Sequence, residues 1–284
     1  MGHLRVLCSA FAVSAVVLAA ACTLAPPRAA KPVTLLVFGD GGYHYDHLEK
    51  KVYEKVVTEE QFMAKERKDW VEERRPIEEF DSPPMYKLPS TGRVIPATGQ
   101  MSVSTAMKSF CAQQGCDFAT MLGDNIYPDG PTGGADGRSD AKRFQDILVE
   151  PFGHFGSFAP DFRIYAALGN HDWGTSREAA MGEVRFMETT PPFYMDGIIY
   201  RVKPPAGHGE VELFVLDTEV LLAGTTVYED ELAPDGSELP PTELDTPKAW
   251  TKPQTERERN MVAWLEQALR SSTARWKIVM GHHP

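Results

Sequence analysis

Short, almost unbroken apolar runs alternate with amphipathic stretches along this chain. Residues 33–38, 118–122, 162–168, 214–216 and 276–280 are such runs, and each ends at a glycine or an aspartate. Apolar runs of this length, bounded by turn residues, predict strands. The most continuously apolar, 35–38 and 118–122, predict strands covered on both faces. Between them, 102–112 and 140–149 read as short helices and 254–271 as a longer one. On the last, Met261, Val262, Trp264, Leu265 and Leu269 predict one apolar stripe, set against the polar Gln254, Glu256, Arg257, Glu258, Arg259 and Arg270. Alternation of strand and helix predicts an α/β fold.

Two stretches interrupt that alternation. Residues 43–100 read as an insertion, charge-rich and helical over 48–75, then proline-rich over 76–96. Mixed charge on a helix predicts a solvated face, the alternative being a lid or a partner surface. Residues 224–253 are acidic and rich in Pro and Gly, and read as a surface loop.

The turns after the strands carry the chemistry. They read Gly39-Asp40-Gly41-Gly42, Gly123-Asp124-Asn125-Ile126-Tyr127, Gly169-Asn170-His171-Asp172 and Gly281-His282-His283-Pro284. A lone Gly-Asp after a strand is an ordinary turn or helix cap. Two of them at the carboxyl ends of neighbouring parallel strands put two carboxylates into the crevice where open α/β sheets bind ligands. Carboxylate oxygens suit hard cations, and one carboxylate can bridge two. Asn170 offers a neutral amide oxygen, and one imidazole of the His282-His283 pair, whose rings point opposite ways if the chain is extended, suits Zn, Fe or Mn. His171 is expected to face substrate, with Asp172 holding its ring and making it a usable proton donor.

Composition narrows this reading. With 284 residues, 42% of them hydrophobic, the chain can bury a large core. A formal charge of −11 argues against nucleic acid held on a basic surface. It leaves phosphate substrates open, because bound cations invert the local field. Arg5 followed by apolar residues 6–21 reads as an export leader over 1–22, too short and too rich in small residues for a membrane span. Ala19-Ala20-Ala21-Cys22 reads either as a lipobox, with Cys22 lipidated and 23–32 as a tether, or as a plain cleavage site. The expected location is outside the cytoplasm: a periplasmic, membrane-anchored lipoprotein or a secreted protein. Of the four cysteines, Cys111 and Cys116 remain after the leader, and an oxidising compartment allows them to pair.

The set of turns resembles the calcineurin-like metallophosphoesterases and, among them, the purple acid phosphatases of the small, tartrate-resistant type. The four turns match that family's blocks in order, and Gly115-Cys116-Asp117-Phe118, Pro191-Pro192-Phe193-Tyr194 and Phe214-Val215-Leu216-Asp217-Thr218 match between them. The resemblance implies a four-layer α/β sandwich of two mixed β-sheets flanked by helices over residues 33–284. It implies two metal ions: Asp40 on the first, Asp124 bridging, Asn170 and His282 on the second. Tyr127 matches the tyrosine that ligates ferric iron, which puts Fe(III) at its site and Fe(II), Zn or Mn at the other. His171 matches the histidine that contacts phosphate and assists the leaving group, whereas Asp217 and His283 match no ligand. Gly41 stands where purple acid phosphatases usually have Trp. A later Gly-His-x-His block, giving each metal one more histidine, lies beyond Pro284, so the resemblance implies a longer chain.

The expected activity is hydrolysis of small phosphomonoesters by a two-metal site, as in an acid phosphatase. The metals lower the pKa of bound water and hold phosphate for in-line attack. The same motifs serve phosphodiesterases and nucleotide or pyrophosphate hydrolases. A lipid-anchored binding protein with a relic site is the reading from another class.

Overall fold

The computed structural model of the chain describes residues 32–41, 44, 56–81, 85–88, 91–96, 99–157, 161–225 and 248–283. The expected leader and nearly all of the tether lie outside these residues, as does most of the expected surface loop. Val33–Pro284 forms one compact unit.

The strands, in chain order, are β1 (Leu35–Phe38), β2 (Met85–Lys87), β3 (Val94–Pro96), β4 (Phe118–Leu122), β5 (Ile164–Ala167), β6 (Phe193–Tyr194), β7 (Tyr200–Val202), β8 (Val211–Val215) and β9 (Trp276–Met280). The helices are α1 (Glu59–Glu72), α2 (Gln100–Gln114), α3 (Asp140–Phe144), α4 (Arg177–Thr189), α5 (Thr218–Thr225), α6 (Glu256–Arg259) and α7 (Met261–Ser271). Helix α3 runs on through a π-helical turn, Gln145–Val149, into Glu150–Phe152. A four-stranded sheet has the order β1-β4-β5-β6, a three-stranded sheet β7-β8-β9, and β2 with β3 forms a separate antiparallel pair.

The architecture is α/β. All pairings in the four-stranded sheet are parallel, because helices α2, α3 and α4 lie in the crossovers between its strands. In the three-stranded sheet β7 is antiparallel to β8, and β8 is parallel to β9. Both sheets contribute to one core, which includes Phe118, Met121 and Tyr165 from the first and Tyr200, Leu213 and Val215 from the second. The buried Tyr200 hydroxyl donates to the Ala166 carbonyl at 2.8 Å, tying β7 to β5. Tyr194 stands between them, its ring centroid 5.2 Å from Tyr165 and 5.8 Å from Tyr200.

The two strands expected to be covered on both faces differ. Strand β4 is central and nearly fully buried. Strand β1 pairs only with β4 among the described residues, and Val37 is 57% exposed. Apolar continuity reports burial of a central strand; here it does not separate a central strand from an edge.

Helix 254–271 is broken. Asn260, with φ −107° and ψ 24°, separates α6 from α7. The stripe on α7 is Met261, Trp264, Leu265, Ala268 and Leu269, all buried or half-buried, whereas Val262 points to solvent and is 64% exposed. The charge-rich insertion is helical over α1, where Phe62 is the buried residue. Thr58 and Gln61 form its capping box.

At the end of α2, Gly115 has φ +79°, a value glycine adopts at no steric cost. The turn it makes brings Cys111 and Cys116 to a Cα separation of 5.0 Å, and the two sulfurs are bonded. The clip joins α2 to the start of β4. Replacing both cysteines by serine is expected to lower unfolding free energy by about 2 kcal/mol, the entropy of closing so short a loop. Urea denaturation of the variant against the parent measures it.

Candidate metal centre

Parallel register delivers the strand-end turns to one edge. Phe38 pairs with Met121 and Leu122 with Ala167, so the residues that follow emerge side by side. Backbone bonds extend the pairing past the strands: Asp40 N–H donates to Gly123 O at 3.0 Å and Gly41 N–H to Asp124 O at 3.1 Å. Asp40 and Asp124 both take left-handed backbone, with φ of 51° and 49°. That conformation costs a residue with a side chain about 1–2 kcal/mol. It is held at the two positions whose carboxylates must leave the sheet edge together.

Glycine is required where the turns touch. A Cβ on Gly123 would lie 2.8 Å from both Gly169 N and His282 Cβ, and one on Gly169 would lie 2.8 Å from His282 Cδ2.

The side chains converge. Oxygens of Asp40 and Asp124 and a nitrogen of His282 lie within 4.8 Å of one another. The Tyr127 hydroxyl reaches Asp40 Oδ1 at 2.9 Å and Asp124 Oδ2 at 2.8 Å. His282 Nδ1 faces the Leu122 carbonyl at 3.0 Å and so carries its hydrogen. Its Nε2 is then turned towards Asn170 Oδ1 at 3.1 Å and Asp124 Oδ2 at 3.3 Å. His171 joins the rim: its ring lies 4.3 Å from that of Tyr127, and its Nε2 is 3.9 Å from Asp124 Oδ2.

The electrostatics fit a cation. Burial acts to raise Asp124, yet hydrogen bonds from His282, the His171 N–H and Tyr127 outweigh it and hold its carboxyl below the usual range. Burial acts to lower His282, yet the Asp124 carboxylate outweighs that and holds the imidazole up at about 9. Burial, with Asp124 and Asp40 beside it, pushes the Tyr127 phenol up. A positive charge is thus wanted where these atoms meet. Two carboxylates, an imidazole, a phenol and an amide oxygen make a donor set for hard or borderline cations.

The family model of the calcineurin-like phosphoesterases matches residues 99–284. The chain belongs to that family. It is similar to purple acid phosphatase 4 of Arabidopsis thaliana, 26% identical over 189 residues, which are 65% of this chain and 47% of that protein. Purple acid phosphatase 3 of the same plant is 27% identical over 187 residues, 65% of this chain and 43% of that protein. The chain therefore spans a little under half the length of these relatives.

The expected metal residues Asp40, Asp124, Tyr127, Asn170 and His282 are brought together, and His171 lies beside them. Asp172 does not do what was expected of it. Its carboxylate is fully buried, and its described hydrogen bonds go to backbone N–H groups and not to the His171 ring. It accepts the Gly169 N–H at 2.8 Å, the Asn125 N–H at 3.0 Å and the Ile126 N–H at 3.0 Å. His171 and Asp172 leave this turn in different directions: the ring of His171 meets Tyr127 and the Pro128 carbonyl, while Asp172 ties the β5 turn to the β4 turn. The His171 ring is held instead by the Pro128 carbonyl, which faces Nδ1. Burial pushes the Asp172 carboxyl up to about 7 despite those donors.

Sequence reasoning missed Asn125 and Glu183. Asn125 donates from Nδ2 to the Ala167 carbonyl at 2.8 Å and to Glu183 Oε1 at 3.0 Å. Glu183 is fully buried on α4, and burial together with the nearby Asp172 charge pushes its carboxyl well up. The signal was present: Ala179, Ala180, Val184 and Met187 form the buried stripe of α4, and a glutamate sits within it.

Asp217, read as a turn brace without a ligand role, accepts the Val220 N–H at 2.8 Å and the Trp173 indole N–H at 2.8 Å. It thereby ties the end of β8 to the turn that follows β5. His283, also given no ligand role, donates its N–H to Thr218 Oγ1 at 3.0 Å and places Nδ1 3.4 Å from Glu219.

Asp172→Asn keeps the shape but replaces one acceptor oxygen with a donor facing N–H groups. It is expected to destabilise the fold by roughly 2–4 kcal/mol. A residue serving only to orient the His171 ring would change stability by less than about 0.5 kcal/mol on the same denaturant curve.

Proposed function

We propose that this protein is an exported metal-dependent hydrolase of small phosphomonoesters, of the acid phosphatase kind, working through a dinuclear centre. The observation that carries the reading is the Tyr127 hydroxyl between Asp40 and Asp124, 2.9 and 2.8 Å away. A phenol in contact with both carboxylates is the donor set suited to ferric iron and matches the tyrosine of the purple acid phosphatases. On this reading Asp40 and Tyr127 would hold Fe(III), Asn170 and His282 would hold Fe(II), Zn or Mn, and Asp124 would serve both. When bound, the two ions supply Lewis-acid activation of phosphate and of water.

The rest is the chain's own work. The Pro128 carbonyl takes the hydrogen on His171 Nδ1, so in the imidazolium form the Nε2–H is the donor left for phosphate and for the departing oxygen. The Leu122 carbonyl fixes His282 in the same way, so Nε2 is the nitrogen presented. Asp172, Asn125 and Asp217 hold the turns that carry these groups. Export is supported by the apolar segment 6–21, and anchoring by Cys22 after Ala19-Ala20-Ala21. Among the described residues no helix is long and apolar enough to cross a membrane.

In the full-length protein Asp40→Asn and Asp124→Asn are each expected to abolish metal loading and to lower turnover of p-nitrophenyl phosphate by at least about 100-fold, as loss of metal-ligand charge implies. The monoester is expected to be cleaved faster than bis(p-nitrophenyl) phosphate. Parent protein that takes up no metal, or either variant retaining most of its activity, overturns the reading; a faster diester overturns its substrate class. Tyr127→Phe is expected to keep two ions while losing the visible absorption of a phenolate–ferric pair. An unchanged spectrum removes iron from that site.

A further inference from the structure

Glu183 is the buried charged residue of the α4 stripe, and nothing in the mechanism above touches it. A carboxyl group at an apolar core position costs several kcal/mol of desolvation unless its hydrogen bonds repay it. Its described partner is the Asn125 amide at 3.0 Å. Asn125 lies between Asp124 and the turn that ends at Tyr127. Its backbone N–H is held by Asp172, and its side chain is shared between Glu183 and the Ala167 carbonyl. The β4 turn is therefore pinned on one side by the β5 turn and on the other by α4. The groups displayed on its far side are the Asp124 carboxylate and the Tyr127 hydroxyl.

We propose that Glu183 is a positioning residue for the metal centre: through Asn125 it fixes the turn 124–127 against α4, so that Asp124 and Tyr127 converge on Asp40 before any ion arrives. This rests on the metallophosphoesterase reading of the site. Preorganised ligands bind metal more tightly because the turn does not have to be ordered at the moment of binding. Outer partners of metal ligands usually change affinity by 10–100-fold when removed.

The test uses the full chain with Zn(II) and Mn(II) as probes, comparing Glu183→Leu, Glu183→Gln, Asn125→Leu, the double variant, and Val184→Ala as a packing control on the same buried stripe. Two readouts are needed: amide hydrogen exchange of residues 124–127 in the metal-free protein, and metal affinity. Glu183→Leu is expected to speed exchange in the turn and weaken affinity by about tenfold or more. Glu183→Gln, which keeps the acceptor oxygen, is expected to recover most of both. Val184→Ala is expected to lower thermal stability without weakening affinity. Because Glu183 acts through Asn125, the double variant is expected to lose little more than Asn125→Leu alone. Unchanged exchange and affinity in Glu183→Leu, losses that add in full, or an equal affinity loss in Val184→Ala overturns the role of Glu183. A parent chain that binds neither metal overturns instead the reading on which it rests, while exchange in the turn still reports whether Glu183 pins it.

Discussion

The functional edge of the molecule depends on the close approach of the turns after β4, β5 and β9. Gly123, Gly169 and His282 meet at separations that leave no room for a Cβ on either glycine. His282 comes from a different sheet than the two glycines, so this contact is also where the three-stranded sheet locks onto the four-stranded one at its functional edge. The positive φ at Asp40 and Asp124, the placement of Asn170 Oδ1 beside His282 Nε2, and the reach of Tyr127 to two carboxylates all depend on that closeness. Local strain of this size is tolerable because the parallel ladder behind it is buried and continuous.

Charge then decides what the closeness is for. Facing the crevice are oxygens of Asp40, Asp124, Tyr127 and Asn170, and the positive group opposed to them is the His282 imidazole, held up at about 9 by Asp124. The same groups that crowd the sheet edge want a cation there. Behind the crevice the logic reverses. Asp172, Glu183 and Asp217 are carboxyl groups with essentially no exposure, and each is engaged by N–H donors of the turns or their neighbours. Asp172 holds backbone N–H groups, Asp217 a backbone N–H and the Trp173 indole, and Glu183 the Asn125 side-chain amide. One layer of acids thus presents charge, and the layer beneath uses acid oxygens as acceptors for turns that no ladder can satisfy.

This division explains what could be read in the sequence. Strand-end residues are legible because parallel topology brings such ends to one edge: knowing that 35–38, 118–122 and 164–167 are neighbouring strands is enough to bring Asp40, Asp124 and Asn170 together, whereas His282 arrives from the second sheet, whose packing strand assignment alone does not give. The parity within a turn is not legible in that way. Asp172 follows His171, and a carboxylate beside an imidazole suggests a pair, yet the backbone N–H groups of Gly169, Asn125 and Ile126 engage the carboxylate instead. Burial of edge strands was also misread, since Val37 and Phe38 look alike in sequence while one faces solvent. The break at Asn260 and the outward turn of Val262 come from local backbone geometry rather than from periodicity.

Glu183 shows how such a support could have been found. On a helix with buried residues at 179, 180, 184 and 187, position 183 belongs to the core face by spacing alone. A carboxyl there contradicts the pattern, and a local rule broken inside an otherwise consistent element marks a place where something other than packing is being served. The partner cannot be named from the helix, because Asn125 lies 58 residues away in sequence and is brought close by the crossover between β4 and β5. The distance from Glu183 to the cation site is bridged by one amide side chain and one turn, which is short enough for the helix to set the spacing of Asp124 and Tyr127. Helix α4 is therefore part of what shapes the crevice.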